Sequence, residues 1–347
     1  MIIKTKQRNS NIEIFRFVLM CFILFWHILV HGYNLKTMGG EGFHYPNMFL
    51  LEVLFLVLFA PATYSFVFIS GYYGIHFSLK RLITLILWCS IVSVGAYIYS
   101  CSFLEVSFDL LDFMRSVFSI SSRQWWFMTE FGILYILSPI MNLGFDSIPQ
   151  KQQKVLLFLL FLFSFIGVLL VYPNQGSDLK GLIFVYLLAR YLKTNDSVFC
   201  SLKRTTIIYL ISFSMLFLGI CVIYYISNKY NAVILGKFIF SLLGYANPLI
   251  IVMAVSLFFI VKNIPSYSNN CLNKILKSNL FIYLITEIGC FVSYKNLANE
   301  ISDNFILAVF HCLMIIAICM LVGHIIIYFV ELIFRLVRKI DQSLIIK

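Results

Sequence analysis

Charged residues are scarce in this sequence of 347 residues. They make up 12% of the chain, 61% of the residues are hydrophobic, and the mean hydropathy is +0.93. A soluble domain of ordinary composition carries about 25% charged residues, so this composition excludes one. Apolar runs of about 20 residues, the length that crosses the hydrocarbon core of a bilayer, recur along the chain. The composition therefore indicates a polytopic membrane protein.

Acidic residues are the rarer of the two signs, with 15 Asp and Glu against 26 Lys and Arg, which gives a net charge of +11. A nucleic-acid-binding protein gathers its basic residues into one patch, whereas here they are spread among short loops. We therefore expect no nucleic-acid partner, and we attribute the positive charge to membrane topology.

Paired cysteines are absent, since the nine cysteines are scattered and form no CxxC motif. None has a histidine at the spacing typical of a metal site. We therefore predict no bound metal and interpret the cysteines as small apolar packing residues.

The apolar runs predict an all-α bundle of about ten transmembrane helices in a single membrane domain, residues 1–347, with no separate soluble domain. The sixth predicted helix is short. Residues 102–124 are too polar to span and predict an amphipathic helix on the outer surface. The ten predicted spans are 12–32, 48–71, 82–101, 125–143, 154–172, 179–191, 205–226, 236–261, 277–294 and 304–334.

The distribution of Lys and Arg between the loops sets the orientation of these helices. With the N-terminus inside, eighteen of the basic residues fall on the cytoplasmic side and seven on the outer side, and Arg16 lies within a helix. Cytoplasmic loops of membrane proteins carry this excess of Lys and Arg. We therefore expect both termini to be cytoplasmic and membrane lipid to surround the bundle.

The first predicted helix carries ionisable residues inside an apolar run, "FRFVLMCFILFWHILVHG". At bilayer depth such a residue costs at least about 2.5 kcal/mol and normally faces a cavity or a partner. Arg16 and His27 lie eleven positions apart, which places them about 20° apart on one helix face and about 16 Å apart along its axis. Glu13 and His31 fall within about 60° of the same line. We interpret this stripe as a reaction channel; snorkelling of Arg16 and a structural hydrogen bond of His27 are the alternatives.

Four further ionisable residues are predicted to lie within the membrane, most of them in its outer half, as His27 does. Together they predict a polar cavity there, although each could instead serve a hydrogen bond between helices. They are Glu52, Glu130, Glu287 and His311.

Three stretches of the sequence resemble acyltransferase family 3. "RNSNIEIFRFVLMCFILFWH" resembles the family's opening, in which ten residues separate an arginine from a histidine, here Arg16 and His27. "FVFISGYYG" followed by "SLKRLITLILW" resembles its Ile-Ser-Gly-Tyr turn and basic third helix, and "WWFMTEFGILYILSP" resembles its Leu-Tyr-x-Leu-Ser-Pro helix. The sequence departs from the family pattern at two positions. Thr286, in "IYLITE", stands where the family commonly has a histidine, and Glu130 stands where related sequences often carry a small residue. Glu287 could then supply the polarity of the missing histidine.

This resemblance implies an integral-membrane O-acetyltransferase of the bacterial cytoplasmic membrane. The acyl donor would be acetyl-CoA, used as a substrate rather than as a bound cofactor. The acceptor would be a cell-envelope or exported polysaccharide or its lipid-linked saccharide precursor. The alternative is a transporter, flippase or polymerase of lipid-linked glycans, since these proteins also place charges within many-helix bundles. However, the sequence shows no inverted repeat typical of a transporter.

The chemistry of O-acylation suggests which residues are catalytic. A sugar hydroxyl attacks a thioester readily only when a base with a pKa near neutrality removes its proton and positive groups stabilise the oxyanion. We assign the base to His27, with an acyl-histidine intermediate as a variant, and we include Arg16 and Glu130 as catalytic candidates.

The donor and the acceptor are assigned to separate residues. Lys80 and Arg81 join Arg16 as candidates to bind the donor's phosphates, although topology alone explains basic residues there. Ser70 and Gly71, in the tight "SGYYG" turn, complete the donor-binding candidates. Trp126 and Glu287 are the acceptor-binding candidates; for Trp126 the alternative is a place in the aromatic belt at the membrane interface.

Overall fold

The computed structural model describes residues 8–33, 49–165, 178–245 and 247–345. Within these ranges the chain is helical and contains no strand. A π-helical turn, Ile28–Gly32, continues the first helix, and a 3-10 turn, Leu276–Ser278, precedes the thirteenth. The α-helices are α1 (Ser10–His27), α2 (Phe49–Phe59), α3 (Ala62–Tyr73), α4 (Leu79–Phe103), α5 (Leu110–Val117), α6 (Trp126–Ser147), α7 (Gln150–Phe165), α8 (Leu179–Thr194), α9 (Leu202–Lys229), α10 (Val233–Leu242), α11 (Pro248–Lys262), α12 (Asn270–Ile275), α13 (Leu280–Thr286), α14 (Tyr294–Asp303) and α15 (Phe305–Ile345).

Six helical segments of the described chain are long and apolar enough to cross a membrane, and α11 is a shorter apolar helix. The predicted all-helical, multi-pass architecture is therefore confirmed. The count of ten helices and the orientation of the termini stay predictions. The six segments are Ser10–Gly32, Leu50–Tyr73, Leu79–Phe103, Trp126–Ser147, Leu202–Lys229 and Phe305–Val337.

The prediction of one continuous helix over 236–261 is wrong, because the chain breaks between α10 and α11. Pro248 begins α11, where its missing N–H breaks no helical hydrogen bond. Asn247 caps that helix by accepting a hydrogen bond from the backbone N–H of Leu249 at 2.9 Å. The break places Tyr245 in a loop rather than within a helix.

The prediction of a spanning helix over 277–294 is also wrong. The helix α13 has only seven residues and ends at Thr286, and the next helix begins at Tyr294. Backbone that leaves helical geometry at membrane depth is tolerated only inside protein or beside a water-filled cavity. The early end of α13 places Glu287 at a helix terminus.

The helix α1 packs against α2, α3, α11 and α13. Leu19 and Leu24 on α1 are fully buried. At its start, the Ser10 hydroxyl donates a hydrogen bond to the side-chain oxygen of Asn273 at 2.8 Å. At its far end, a Cβ on Gly32 would lie 2.4 Å from the carbonyl oxygen of Tyr294, so glycine allows the π-helical turn to contact α14. Both ends of α1 are therefore fixed to later parts of the chain.

The amphipathic helix predicted within residues 102–124 is present as α5, and its apolar side chains Leu110, Leu111 and Met114 are exposed. The predicted span 154–172 begins within α7, and its second part lies outside the described residues.

Candidate active site

His27 and Glu287 form the closest polar contact of the candidate site. His27 ends α1, and Glu287 follows the last residue of α13. The Nδ1 atom of His27 lies 2.6 Å from Oε2 of Glu287, and the two side chains are 13% and 22% exposed. Within the part of the chain that the structure describes, neither atom makes an aligned hydrogen bond, so the contact is one of ion-pair distance. The pair therefore depends on one contact between the first helix and the break after α13.

His31 and Tyr294 extend the pair towards the end of the first helix. The ring of His31 lies 5.4 Å from that of His27, and both rings lie within 6.0 Å of the Tyr294 ring. His31 belongs to the π-helical turn, a geometry that occurs often at functional sites. The Tyr294 hydroxyl donates a hydrogen bond to the carbonyl oxygen of Thr286 at 2.9 Å, which ties α14 to the end of α13.

The two imidazoles and the carboxylate offer a set of metal-ligating atoms that lie within 4.8 Å of one another. A tetrahedral ion with bonds of about 2.0–2.2 Å keeps its ligand atoms more than about 3 Å apart. The 2.6 Å between His27 and Glu287 is shorter than that. The distance therefore favours a direct contact of the imidazole with the carboxylate over a metal centre.

A small pocket lies beside His27, with a cavity volume of about 20 Å³. Its lining includes the apolar side chains of Met20, Ile23 and Phe66. Trp126 and Thr63 also line it. The imidazole of His27 therefore borders a cavity with room for about one water molecule.

Two tyrosines line this pocket, Tyr245 and Tyr283. The Tyr245 hydroxyl lies 3.3 Å from the hydroxyl of Thr63 and so has a hydrogen-bond partner. Tyr283 is 5% exposed, and its hydroxyl has no partner among the described residues. Among the described residues, the Tyr245 hydroxyl therefore has a hydrogen-bond partner and the Tyr283 hydroxyl has none.

Arg16, at the other end of the predicted stripe, is held by an acid. Its Nη1 atom lies 2.9 Å from Oε1 of Glu13, and Nε of Arg8 lies 3.1 Å from the same oxygen. The Glu13 side chain is only 6% exposed. The structure therefore places Glu13 and Arg16 on one face, as the helical spacing predicts. The contact also gives Arg16 a partner on its own helix.

Glu130 contacts Arg123 rather than His27. Its Oε1 atom accepts a hydrogen bond from Nη2 of Arg123 at 2.7 Å, and the residue is 8% exposed. The carboxylate beside His27 is that of Glu287, which the sequence analysis assigned to the acceptor. Glu287, rather than Glu130, is thus the carboxylate that contacts His27, and the catalytic role of Glu130 stays a prediction.

The remaining ionisable residues predicted within the membrane have different surroundings. His311 pairs with Glu300, with Nδ1 and Oε2 2.6 Å apart. Glu52 is 5% exposed, and neither of its carboxylate oxygens has a hydrogen-bond partner in the described ranges. Of the four ionisable residues predicted within the membrane, Glu287 is the one that contacts His27.

Lys80 and Arg81 lie in the first turn of α4 and are exposed. The Lys80 ammonium lies 5.2 Å from the centre of the Phe334 ring, a cation–π contact with α15. Their role in binding a donor stays a prediction.

Gly71 and Ser70 have local roles that differ from the predicted one. A Cβ on Gly71 would lie 2.4 Å from the carbonyl oxygen of Tyr186 and 2.9 Å from Cβ of Ala189. Gly71 therefore permits a close approach of α8, and its role in donor binding stays a prediction. The Ser70 hydroxyl donates to the carbonyl oxygen of Phe66, one turn earlier on α3, at 3.0 Å.

Trp126 lines the pocket beside His27, and its ring lies 5.3 Å from that of Tyr245. It is half-buried, whereas the preceding Trp125 is 1% exposed. Packing inside the bundle therefore accounts for this tryptophan pair better than an aromatic belt. Its assignment to the acceptor stays a prediction.

The sequence analysis did not identify Tyr245, Tyr283 and Thr63 as residues of the site. Tyr283 lies in "IYLITE", where the sequence drew attention only to Thr286 and Glu287. A spacing of four residues separates Tyr283 from Glu287, and the Glu287 N–H donates to the Tyr283 carbonyl oxygen at 3.0 Å. That spacing places both side chains on one helix face and is the signal that could have identified Tyr283.

Comparison with known proteins identifies one relationship. A family model described as an acyltransferase domain, that of acyltransferase family 3, matches residues 9–324. Searches of curated proteins and of solved structures find no match to this chain. The matched range includes α1, the pocket, α13 and α14.

Proposed function

Because this chain belongs to acyltransferase family 3 and is therefore a transferase of acyl groups, we propose that it is a membrane O-acetyltransferase. The donor is acetyl-CoA, and the acceptor is a hydroxyl of a bacterial cell-envelope polysaccharide or of its lipid-linked precursor. Six candidate membrane spans support a place in the cytoplasmic membrane. Both termini are cytoplasmic in this proposal.

The contact between His27 and Glu287 carries the proposal. A carboxylate that accepts the Nδ1 proton fixes the tautomer of a histidine and leaves Nε2 as the nitrogen that takes a proton. The imidazole also borders the pocket. His27 thus meets the two requirements of a general base, a held orientation and access to a substrate.

The reaction follows from this arrangement. His27 removes the proton from the acceptor hydroxyl as the hydroxyl oxygen attacks the thioester carbonyl carbon. The tetrahedral oxyanion then re-forms its carbonyl, the carbon–sulfur bond breaks, and the sulfur of CoA takes the proton from His27. The products are an acetyl ester and the free thiol of CoA, and Glu287 stabilises the imidazolium that exists between the two steps.

The donor lies along α1 in this proposal. Arg16 and His27 are about 16 Å apart on one face, a distance that the extended pantetheine arm of CoA can cross. Arg16, Lys80 and Arg81 provide guanidinium and ammonium groups for the phosphates. The Glu13 contact occupies one nitrogen of Arg16, and a guanidinium has further N–H donors for an anion.

The acceptor enters beside Trp126. This ring lines the pocket that His27 borders, so a sugar that packs on it would bring a hydroxyl near the imidazole. The hydroxyl pair of Thr63 and Tyr245 lies in the same wall and offers hydrogen bonds to a saccharide.

Mass spectrometry of envelope glycans tests this function. Cells that carry the gene are compared with cells from which it is deleted and with cells that express His27→Gln. We expect one acetyl mass per modified unit to be lost in both altered strains. Glycans that keep every acyl group in the deletion strain would overturn the proposed function.

A further inference from the structure

The hydroxyl of Tyr283 is a buried polar group that has no role in the proposed reaction as described above. Tyr283 lines the pocket beside His27 and is 5% exposed, and its hydroxyl has no hydrogen-bond partner among the described residues. Burial of a hydroxyl without a partner costs free energy, and a pocket wall is a place where a substrate can supply the partner.

The surroundings of Tyr283 fix the direction of its side chain. The ring packs edge-on against Phe127, with ring centroids 6.3 Å apart. On α13, Tyr283 lies one turn before Glu287, so the same helix face presents the hydroxyl and the carboxylate. The carboxylate of Glu287 contacts His27, and His27 and Tyr283 both line the pocket.

A tyrosine hydroxyl in this position is a hydrogen-bond donor without an assigned acceptor. The acyl-transfer step creates such an acceptor, because the thioester carbonyl oxygen gains negative charge as the acceptor oxygen attacks. Donors that are aimed at this oxygen before the reaction begins stabilise the transition state more than the ground state.

We propose that Tyr283 is a catalytic residue whose hydroxyl donates a hydrogen bond to the thioester carbonyl oxygen and stabilises the oxyanion. This inference rests on the proposed acyl transfer. In that step the Tyr283 proton is shared with the oxyanion but not transferred. The proton that moves passes from the acceptor hydroxyl to His27 and then to the sulfur of CoA.

Tyr283→Phe removes the hydroxyl and keeps the ring. Transfer is measured with radiolabelled acetyl-CoA and an alkali-deacetylated envelope polysaccharide fraction as the acceptor probe, with purified full-length protein in detergent. We expect kcat to fall by about 10²–10³-fold, the loss typical of one oxyanion donor, with the KM for acetyl-CoA unchanged. The melting temperature should stay equal or rise, because the variant removes a buried hydroxyl that has no partner.

Tyr209→Phe is the matched control. Its hydroxyl is also buried without a hydrogen-bond partner among the described residues, but Tyr209 lies on α9 and packs in another part of the core, away from this pocket. This variant should keep the parent's kcat and KM.

Three outcomes would overturn the inference: a parent-like kcat in Tyr283→Phe, an equal loss in Tyr209→Phe, or a lower melting temperature that identifies a structural hydroxyl. If Tyr283→Phe does not fold, a protein with 3-fluorotyrosine at position 283 is tested instead. A transfer rate that is unaffected by its more acidic hydroxyl would also overturn the inference. A parent protein without transfer, by contrast, would contradict the proposed function itself. An inactive His27→Gln beside a fully active Tyr283→Phe would leave the function intact and exclude the role of Tyr283.

Discussion

His27 Nδ1 lies 2.6 Å from Glu287 Oε2, and this contact joins residues that are far apart in the chain. The same distance separates His311 Nδ1 from Glu300 Oε2. His27, unlike His311, borders the pocket. The two pairs join the same residue types at the same distance, and His311 also forms a hydrogen bond with Glu300. Each His311 or Glu300 variant is therefore a control for the corresponding variant at His27 or Glu287.

His27→Gln should reduce transfer by about 10²–10⁴-fold, because glutamine cannot accept a proton at neutral pH. The protein should still insert at parent-like abundance, since a hydrogen bond within a membrane bundle contributes only about 0.6–2 kcal/mol. Transfer is followed by radiolabelled acetyl incorporation and abundance by immunoblot. His311→Gln should keep both. Near-normal acetylation in His27→Gln would show that His27 has only a structural role.

Glu287→Gln should lower kcat by about 10²-fold or more, because the amide no longer stabilises an imidazolium and can turn its NH₂ towards Nδ1, which favours the wrong tautomer. Glu300→Gln should have no such effect. Steady-state kinetics of the two purified variants make the comparison. Equal, small effects of both would exclude the role of Glu287 in orienting the base.

Arg16→Ala should raise the KM for acetyl-CoA by about 10–100-fold, since hydrogen bonds to charged groups contribute about 1.5–3 kcal/mol. The fold should tolerate this change, because Glu13 keeps its contact with Arg8. Arg115→Ala is the control, since Arg115 pairs with Asp112 in the same three-residue spacing on α5. An unchanged KM in Arg16→Ala would exclude phosphate binding by Arg16.

Removal of divalent metals should leave transfer unchanged, because the 2.6 Å between His27 and Glu287 is too short for two ligands of one tetrahedral ion. The purified protein is dialysed against a chelator, and acetyl incorporation is compared before and after. Activity that disappears and returns on addition of zinc would identify the cluster with His31 as a metal centre.

Gly71→Ala should destabilise the protein by about 1–3 kcal/mol, because the new methyl group would overlap Tyr186 on α8. Gly95→Ala on α4 is the control, since nothing lies within 4 Å of the added Cβ. Thermal unfolding in detergent compares the variants. A stable Gly71→Ala protein with a raised KM for acetyl-CoA would instead support the donor-binding role first predicted from the sequence.

Helical spacing predicted the arrangement within α1 well, because a continuous helix fixes which side chains share a face. Glu13 and Arg16 do form a pair, and His27 and His31 do lie together. The partner of His27 was not predictable in this way. Glu287 follows the end of α13 at Thr286, whereas the largely apolar sequence of that region favoured a longer helix. Contacts between distant segments depend on packing, which hydropathy does not record.

At the π-helical turn Ile28–Gly32, the geometry of the first helix depends on the number of residues more than on which apolar residues they are. Removal of one residue there would return the segment to α-helical winding and rotate everything beyond it by about 100°. Gly32 would then leave the carbonyl of Tyr294, and His31 would lose its register with His27. Substitutions among the apolar residues of this turn would preserve that register, whereas an insertion or deletion would not.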